Sequence, residues 1–306
     1  MLALARTADE LDTVDAIDTP WRVGEVIADQ YVIRKQIGLG GMSTVWEAYD
    51  RVMRRTTALK TTLARENASA LLIREARALA AVRHPGLPVA YTVGAYRGWS
   101  FLALERLFGV TLEHRIHDPR PAGRPVFTIP EALHVLVGLA DALTAVHGAG
   151  IVHHDVKPAN VMLCPGGRVV LLDFGIMIPE VEAATGQVSG TAHYMAPEML
   201  TGAIRPGNAH LLDVYAFGVL AFEVLTGRVP FDDDDFHALM RLHVTAPVPD
   251  LRELRPDLPV ALAELVTECL AKCPSDRPSA MEQVLWDLRG LLRAPGCPQR
   301  PGTAPA

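Results

Sequence analysis

Cysteine is scarce in this chain: four residues, Cys164, Cys269, Cys273 and Cys297, among 306. They make no paired framework. Cys269 and Cys273 are four apart in a helix-like stretch, with no neighbouring Cys/His pair to complete a metal site. The pattern argues against a disulfide scaffold or a zinc module and fits incidental thiols in a reducing, intracellular compartment. An excess of one charge is also lacking. Twenty-nine Lys and Arg against 35 Asp and Glu leave a net charge of -6, which gives no footprint for nucleic acid or an anionic membrane. No run reaches the roughly 18 uninterrupted apolar residues of a membrane span. The nearest, Val214 to Leu225, is too short and contains Glu223. Met1 to Asp18 lacks the basic start and apolar core of a signal peptide. These absences lead us to expect a cytoplasmic protein with no membrane span and no nucleic-acid partner. Hydrophobic residues make up 49% of the chain, and its length allows one large domain or two lobes with a sizeable core.

Along the chain the pattern changes once. Residues 1–28 read as an N-terminal extension, helical or partly disordered. From Gln30 to Asp50, Tyr31-Val32-Ile33 and Thr44-Val45-Trp46-Glu47-Ala48 flank a glycine cluster, which predicts two strands and a turn. Thr57 to Lys60 predicts a third strand. Leu72, Ala76 and Leu79 set a helix over 66–82 that His84-Pro85 stops. Val89–Ala95 and Ser100–Arg106 complete a strand-rich region over 29–106. Beyond Gly109 helices dominate. Pro130 suits a first turn, and an apolar stripe from Leu133 to Val146 runs to Gly148 and Gly150. Further helices are expected near 196–202, 213–226, 234–243, 260–271 and 279–292, within a second region over 107–293. Residues 118–125 read as a solvated inserted loop and 294–306 as a disordered tail. The acidic run Asp232 to Asp235 reads as a solvated lead into a helix, with recruitment of a basic substrate as the alternative.

The chemistry concentrates in His153-His154-Asp155-Val156-Lys157-Pro158-Ala159-Asn160, followed by Asp173-Phe174-Gly175. These segments place a carboxylate, a lysine, an amide and a second carboxylate in fixed order. Phosphoryl transfer needs such groups: an orienter for the attacking hydroxyl, donors for divalent metal, and positive charge near the transferring group. Upstream lies Gly38-Leu39-Gly40-Gly41-Met42-Ser43-Thr44-Val45, whose missing Cβ atoms let backbone N–H groups approach phosphate. A strand rather than a helix is expected after it, and no Gly-Lys-Ser/Thr follows, so it is neither a dinucleotide fingerprint nor a phosphate-binding loop of that type. Ala58-Leu59-Lys60, Leu104-Glu105-Arg106-Leu107, Gly190-Thr191-Ala192-His193-Tyr194-Met195-Ala196-Pro197-Glu198 and Asp276-Arg277-Pro278-Ser279 complete the series.

In these segments and their order the chain resembles the protein kinase family over about 30–292, most closely bacterial serine/threonine kinases of the eukaryotic-like (Hanks) type. The resemblance implies an α+β, two-lobed protein kinase fold, with a small antiparallel β-sheet lobe carrying one main helix and a larger, mostly α-helical lobe. It implies ATP and Mg²⁺, with Mn²⁺ as an alternative, bound between the lobes. Asp155 would orient the substrate hydroxyl or accept its proton, Lys157 would neutralise the γ-phosphate, and Asn160 and Asp173 would hold the metal. Lys60 would reach the α- and β-phosphates, fixed by Glu75, with Glu66 as runner-up. Ile37, Gly38, Leu39, Gly40 and Gly41 would frame the phosphates. Val45, Ala58 and Met162 would sandwich adenine, or simply pack in the core. Leu104 would form the back wall, and the backbone of Glu105 and Leu107 would contact adenine. Thr191 would help select a hydroxyl substrate. Glu198 would pair with Arg277, and Asp213 would cap the catalytic loop.

Two departures stand out. Ser43 replaces a glycine, and His154 stands where most relatives carry arginine. A histidine offers no bidentate fork for a phosphorylated loop residue, so weaker dependence on activation-loop phosphorylation is expected. Thr185 and Ser189 are candidate autophosphorylation sites. Protein substrates are favoured over small molecules by Glu198 and Arg277. Intact Lys60, Asp155, Asn160 and Asp173 favour an active enzyme over a binding scaffold. A homodimer is expected by analogy only.

Overall fold

The computed structural model describes residues 21–39, 43–62, 68–118, 126–173, 192–202, 204 and 207–293. Two compact units emerge. The first comprises the described residues of Met1–Val110 and Met162–Ile176, the second those of Thr111–Val161 and Met177–Ala306.

The first unit is built on a six-stranded antiparallel sheet of order β1-β2-β3-β4-β6-β5. Its strands are β1 (Val26–Ile27), β2 (Tyr31–Leu39), β3 (Ser43–Asp50), β4 (Arg55–Thr62), β5 (Ala90–Tyr96) and β6 (Trp99–Glu105). The alternation that predicts β3 is visible in its burial: Thr44, Trp46, Ala48 and Asp50 are buried, and their neighbours half-buried. Helix α1 (Ala68–Ala81) packs on β5 and β6 through buried Leu72 and Leu79. Glu75, midway between them, shares that face and is carried inward with it.

The sequence reading makes 1–28 an extension, but residues 21–28 pack into this unit. Trp21 and Ile27 are in the core with Tyr31, Ile33, Trp46, Leu59 and Phe101. The Trp21 ring stands 6.1 Å edge-on from Phe101 and 6.4 Å from Trp46. The two-residue strand β1 is too short to show a period, which is why the sequence conceals it. Trp21→Ala is expected to cost about 3–5 kcal/mol of stability, read from denaturant midpoints. A loss below about 1 kcal/mol would return this segment to the status of an appendage.

The second unit is helical. Helix α2 (Leu112–His117), a short element with no expectation in the sequence reading, starts at Thr111, whose side chain accepts from His114 N. Helix α3 (Ile129–Gly148) starts at a capping box in which Thr128 accepts from Glu131 N and the Glu131 side chain reaches back to the Thr128 N–H. By length and composition α3 could cross a bilayer, but half of that stretch is buried, and Leu133, Leu136, Leu139, Leu143 and Val146 are core residues. Helices follow at Pro197–Thr201, His210–Thr226, Phe236–Thr245, Leu251–Leu254, Val260–Cys269 and Met281–Arg293. His210–Thr226 is buried from Leu211 to Leu225. A Cβ at Gly218 would lie 2.8 Å from Cys269 Cβ, so the glycine permits the close crossing with Val260–Cys269. Burial pushes the Cys269 thiol pKa up, leaving it an inert core residue. The acidic run ends in Asp235, whose side chain accepts from Ala238 N at 2.7 Å and caps the helix that follows.

A hairpin of strands Val161–Leu163 and Val169–Leu171 interrupts the helical region. Most of it belongs to the first unit, although it lies far along the chain.

Candidate active site

In the first unit the strand register sorts the candidate nucleotide residues by face. Gly38 pairs with Val45, Val45 with Lys60, and Ala58 with Leu104. Alternation of side chains therefore puts Gly38, Val45, Ala58, Lys60 and Leu104 on one side of the sheet. Leu39 pairs with Thr44 and falls on the opposite side, so only its backbone remains suited to a phosphate role. Ile37 sits in the irregularity between Gln36 and Gly38. Gly40 and Gly41 lie outside the described residues.

Lys60 is buried, and its Nζ donates to both Glu75 oxygens at 2.9 Å and to Asp173 Oδ1 at 2.7 Å. Glu75 rather than Glu66 is thus the carboxylate from α1 that meets it; Glu66 lies outside the described residues. Burial opposes the Lys60 charge, but Asp173 and Glu75 outweigh it and raise its pKa, so the ammonium persists. Burial pushes Glu75 up to about 7 against the pull of Lys60, and Asp173 adds to the rise. One cation facing two carboxylates is an arrangement that phosphate oxygens could enter as competitors for the ammonium. Asp173 has a left-handed backbone, φ 48°, and a half-exposed side chain.

The segment leaving β6 is held at several points. The Thr57 hydroxyl donates to Leu104 O at 2.7 Å, and Glu105 N donates to Val89 O at 2.8 Å. Leu107 is buried. Gly109, at φ 147°, lies where a Cβ would overlap the Leu163 carbonyl, so no other residue fits beside the hairpin that carries Met162.

In the second unit a short loop gathers Asp155, Lys157 and Asn160. Asp155 Oδ2 accepts from Asn160 Nδ2 at 2.7 Å and lies 2.9 Å from Lys157 Nζ. Asn160 Nδ2 also donates to the Asp155 carbonyl at 2.9 Å. Asp155 Oδ1 is buried with no hydrogen-bond partner among the described residues. A buried, unpaired carboxylate oxygen is costly, and active sites are where such costs are tolerated.

Asp213 holds this loop, as the sequence reading expects. Its carboxylate accepts from His153 N at 2.7 Å and His154 N at 2.9 Å, and lies 2.8 Å from His147 Nε2. Burial would raise its pKa, but the bond from His147 and the nearness of His153 hold it below the usual carboxylate range. The two amide bonds fix His154 at φ 65°, a conformation unusual for a residue with a side chain. The exposed ring of His154 is not itself part of the Asp155 cluster.

Glu198 and Arg277 form a buried bidentate pair at 2.7 Å for each bond. Sequence reasoning missed the Tyr194 hydroxyl, which donates to the buried Glu223 carboxylate at 2.5 Å. Glu223 lies in a long apolar run, and only its isolation there could have signalled it. His193 lies 3.0 Å from Asp232, giving the first acid of the run a specific partner. Thr191, Thr185, Ser189 and Phe174-Gly175 are outside the described residues.

For a metal ion the donors on offer are hard oxygens. The Asn160 amide nitrogen is spent on Asp155, which leaves its carbonyl oxygen as donor, and Asp173 presents a half-exposed carboxylate. Each, taken by itself, is an oxygen donor of the kind that a hard divalent cation accepts. No self-contained cluster of three or more His, Cys, Asp or Glu side chains occurs among the described residues.

Residues 31–286 match the protein kinase domain model. The chain is 33% identical over 276 residues to a probable serine/threonine-protein kinase PknB of Lactococcus lactis, covering 87% of this chain and 43% of that protein. It is 33% identical over 297 residues to the serine/threonine-protein kinase PknA of Mycobacterium tuberculosis, covering 93% of this chain and 66% of that one. The chain thus spans less than two thirds of either relative's length. The crystal structure of the Mycobacterium tuberculosis PknI kinase domain superposes with a TM-score of 0.66 at 26% identity, over 88% of this chain and 99% of that one.

Proposed function

This chain belongs to the protein kinase family, and we propose that it is an ATP-dependent serine/threonine protein kinase that passes the γ-phosphoryl group to protein hydroxyls. The observation that carries the reading is the state of Asp155. One oxygen is neutralised by Lys157 and Asn160, while the other has no hydrogen-bond partner among the described residues and keeps its capacity to accept one. A substrate serine or threonine hydroxyl brought to the Asp155 carboxylate would be oriented for attack and would hand over its proton there as the new O–P bond forms and the bond from the γ-phosphorus to its bridging oxygen breaks, releasing ADP. Lys157 would stabilise charge on the transferred group. Lys60, kept cationic by Glu75 and Asp173, would bind the α- and β-phosphates. Asn160 and Asp173 would hold Mg²⁺ or Mn²⁺, which when bound neutralises phosphate charge. Val45, Ala58, Leu104 and the backbone of Glu105 and Leu107 would receive adenine, with Met162 as the further apolar contact. Thr191 would help present the hydroxyl. The substrates would be cytoplasmic proteins.

The test is incubation of the full chain with labelled ATP and Mg²⁺, followed by mapping of phosphate by mass spectrometry. Label on serine or threonine, abolished by a chelator, is the expected result. No label from a chain that still binds ATP would overturn the reading in favour of a scaffold. Because His154 offers no guanidinium for a phosphorylated loop, phosphatase-treated protein is expected to keep most of its initial rate. Near-complete loss would show that loop phosphorylation is required despite the histidine.

A further inference from the structure

One arginine outside all the motifs ties together the part of the first unit that leads out of β6. Arg168 stands at the end of the Pro165-Gly166-Gly167 turn in the Val161–Leu171 hairpin, where a lone cation reads as surface charge. Instead its Nη1 donates to Glu105 Oε1 at 2.5 Å and its Nη2 to Glu105 Oε2 at 3.0 Å. Its Nε donates to Pro85 O at 2.7 Å, and Nη2 also reaches Leu87 O at 3.2 Å. The Glu105 carboxylate in turn accepts from Val89 N at 3.3 Å, while Glu105 N donates to Val89 O. Leu171 N donates to Gly86 O at 2.9 Å, adding a backbone tie between hairpin and turn. One guanidinium therefore joins three stretches that are distant in sequence: the end of β6, residues 85–89, and the hairpin.

The chemistry of the pair suits a brace. A bidentate guanidinium–carboxylate contact fixes both distance and plane, which an ammonium cannot do. The bond from Arg168 is the main cause that holds the Glu105 carboxyl below its usual range. Loss of Arg168 would free that carboxylate and leave the Pro85 and Leu87 carbonyls without this donor. The backbone of Glu105 would then keep only its ladder bonds.

We propose that Arg168 is a positioning residue for nucleotide binding: acting through Glu105, it fixes the backbone that receives adenine. The inference rests on the kinase reading, because that reading gives the Glu105 backbone its role. It predicts an effect on nucleotide affinity rather than on the chemical step.

The experiment compares wild type, Arg168→Met, Arg168→Lys, Glu105→Gln and the Glu105→Gln/Arg168→Met double variant as full chains. Direct binding of a fluorescent ATP analogue, KM for ATP, kcat at saturating ATP and melting temperature are measured for each. Arg168→Met is expected to raise the analogue Kd and the KM for ATP about tenfold, the scale of one lost charge-assisted hydrogen bond. Its kcat should stay within about twofold of wild type, as expected when binding alone is weakened. Arg168→Lys should recover only part of the affinity, and it supplies the comparison should Arg168→Met fail to fold. In the Glu105→Gln background the further effect of Arg168→Met should shrink well below tenfold, since both changes break one contact. An unchanged KM, a fall in kcat alone, or fully additive effects of the two substitutions would overturn the proposal. A wild type that binds the analogue but transfers no phosphate would sink the kinase reading instead, and the binding ratios would still decide the role of Arg168.

Discussion

Asp155→Asn is expected to lower kcat by about 10²- to 10⁴-fold while ATP affinity stays close to wild type. The substitution keeps size and shape, so the loss would be one of hydrogen-bond polarity. Asp155 Oδ2 now accepts from Asn160 Nδ2 at 2.7 Å and sits 2.9 Å from Lys157 Nζ. Both neighbours are donors. An asparagine must therefore turn its carbonyl oxygen towards them, which sends its NH₂ to the place of Oδ1. The buried position that could accept a substrate hydroxyl would then present a donor and no base. Lys157 would also lose the charge of Asp155 beside it. Steady-state kinetics beside nucleotide titration would separate the two effects. A kcat within about a factor of ten of wild type would remove Asp155 from the proton path.

The parts of this site that were legible in the sequence are those where one residue type at one spacing has a single good use. Lys60 and Glu75 are 15 apart, and the helical stripe of Leu72 and Leu79 forces Glu75 inward, so their meeting could be expected from pattern. The cap on the His153–His154 amides by Asp213 was legible only through the resemblance to protein kinases, since pattern alone does not say what a lone acid at a helix start will meet. What stayed hidden was set by tertiary pairing. Trp21 precedes a strand of two residues, too short for alternation to register, and only its packing on Trp46 and Phe101 places it. The hairpin strands Val161–Leu163 and Val169–Leu171 have three residues each, and periodicity cannot tell such runs from loop. Arg168 carries no signal at all, since its meaning depends on Glu105, 63 residues away. The opposite facing of Leu39 and Val45 follows from a register irregularity in β2 that composition does not encode.

Arg277→Met is expected to destabilise the second unit by about 3–5 kcal/mol, the cost of stranding one member of a buried ion pair. The Arg277 side chain is fully buried, and that of Glu198 is 7% exposed. Besides its two 2.7 Å bonds to Glu198, the guanidinium donates to the carbonyls of Leu211 at 2.9 Å, Ala271 at 2.8 Å and Lys272 at 3.3 Å. It thus joins the helix that begins at Pro197, the start of His210–Thr226, and the turn after Val260–Cys269. Methionine can fill much of the volume but supplies no donor. The Glu198 carboxylate, only 7% exposed, would lose the guanidinium that pairs it, and an unpaired buried charge is costly. The double variant Glu198→Leu/Arg277→Met removes that charge as well, leaving only the three carbonyls short of a donor. It should therefore lose less stability than Arg277→Met alone, even though more has been changed. Chemical denaturation of the two variants beside wild type is the measurement. Equal losses in the single and double variants would mean that the carbonyl bonds, rather than the pair with Glu198, are what Arg277 contributes.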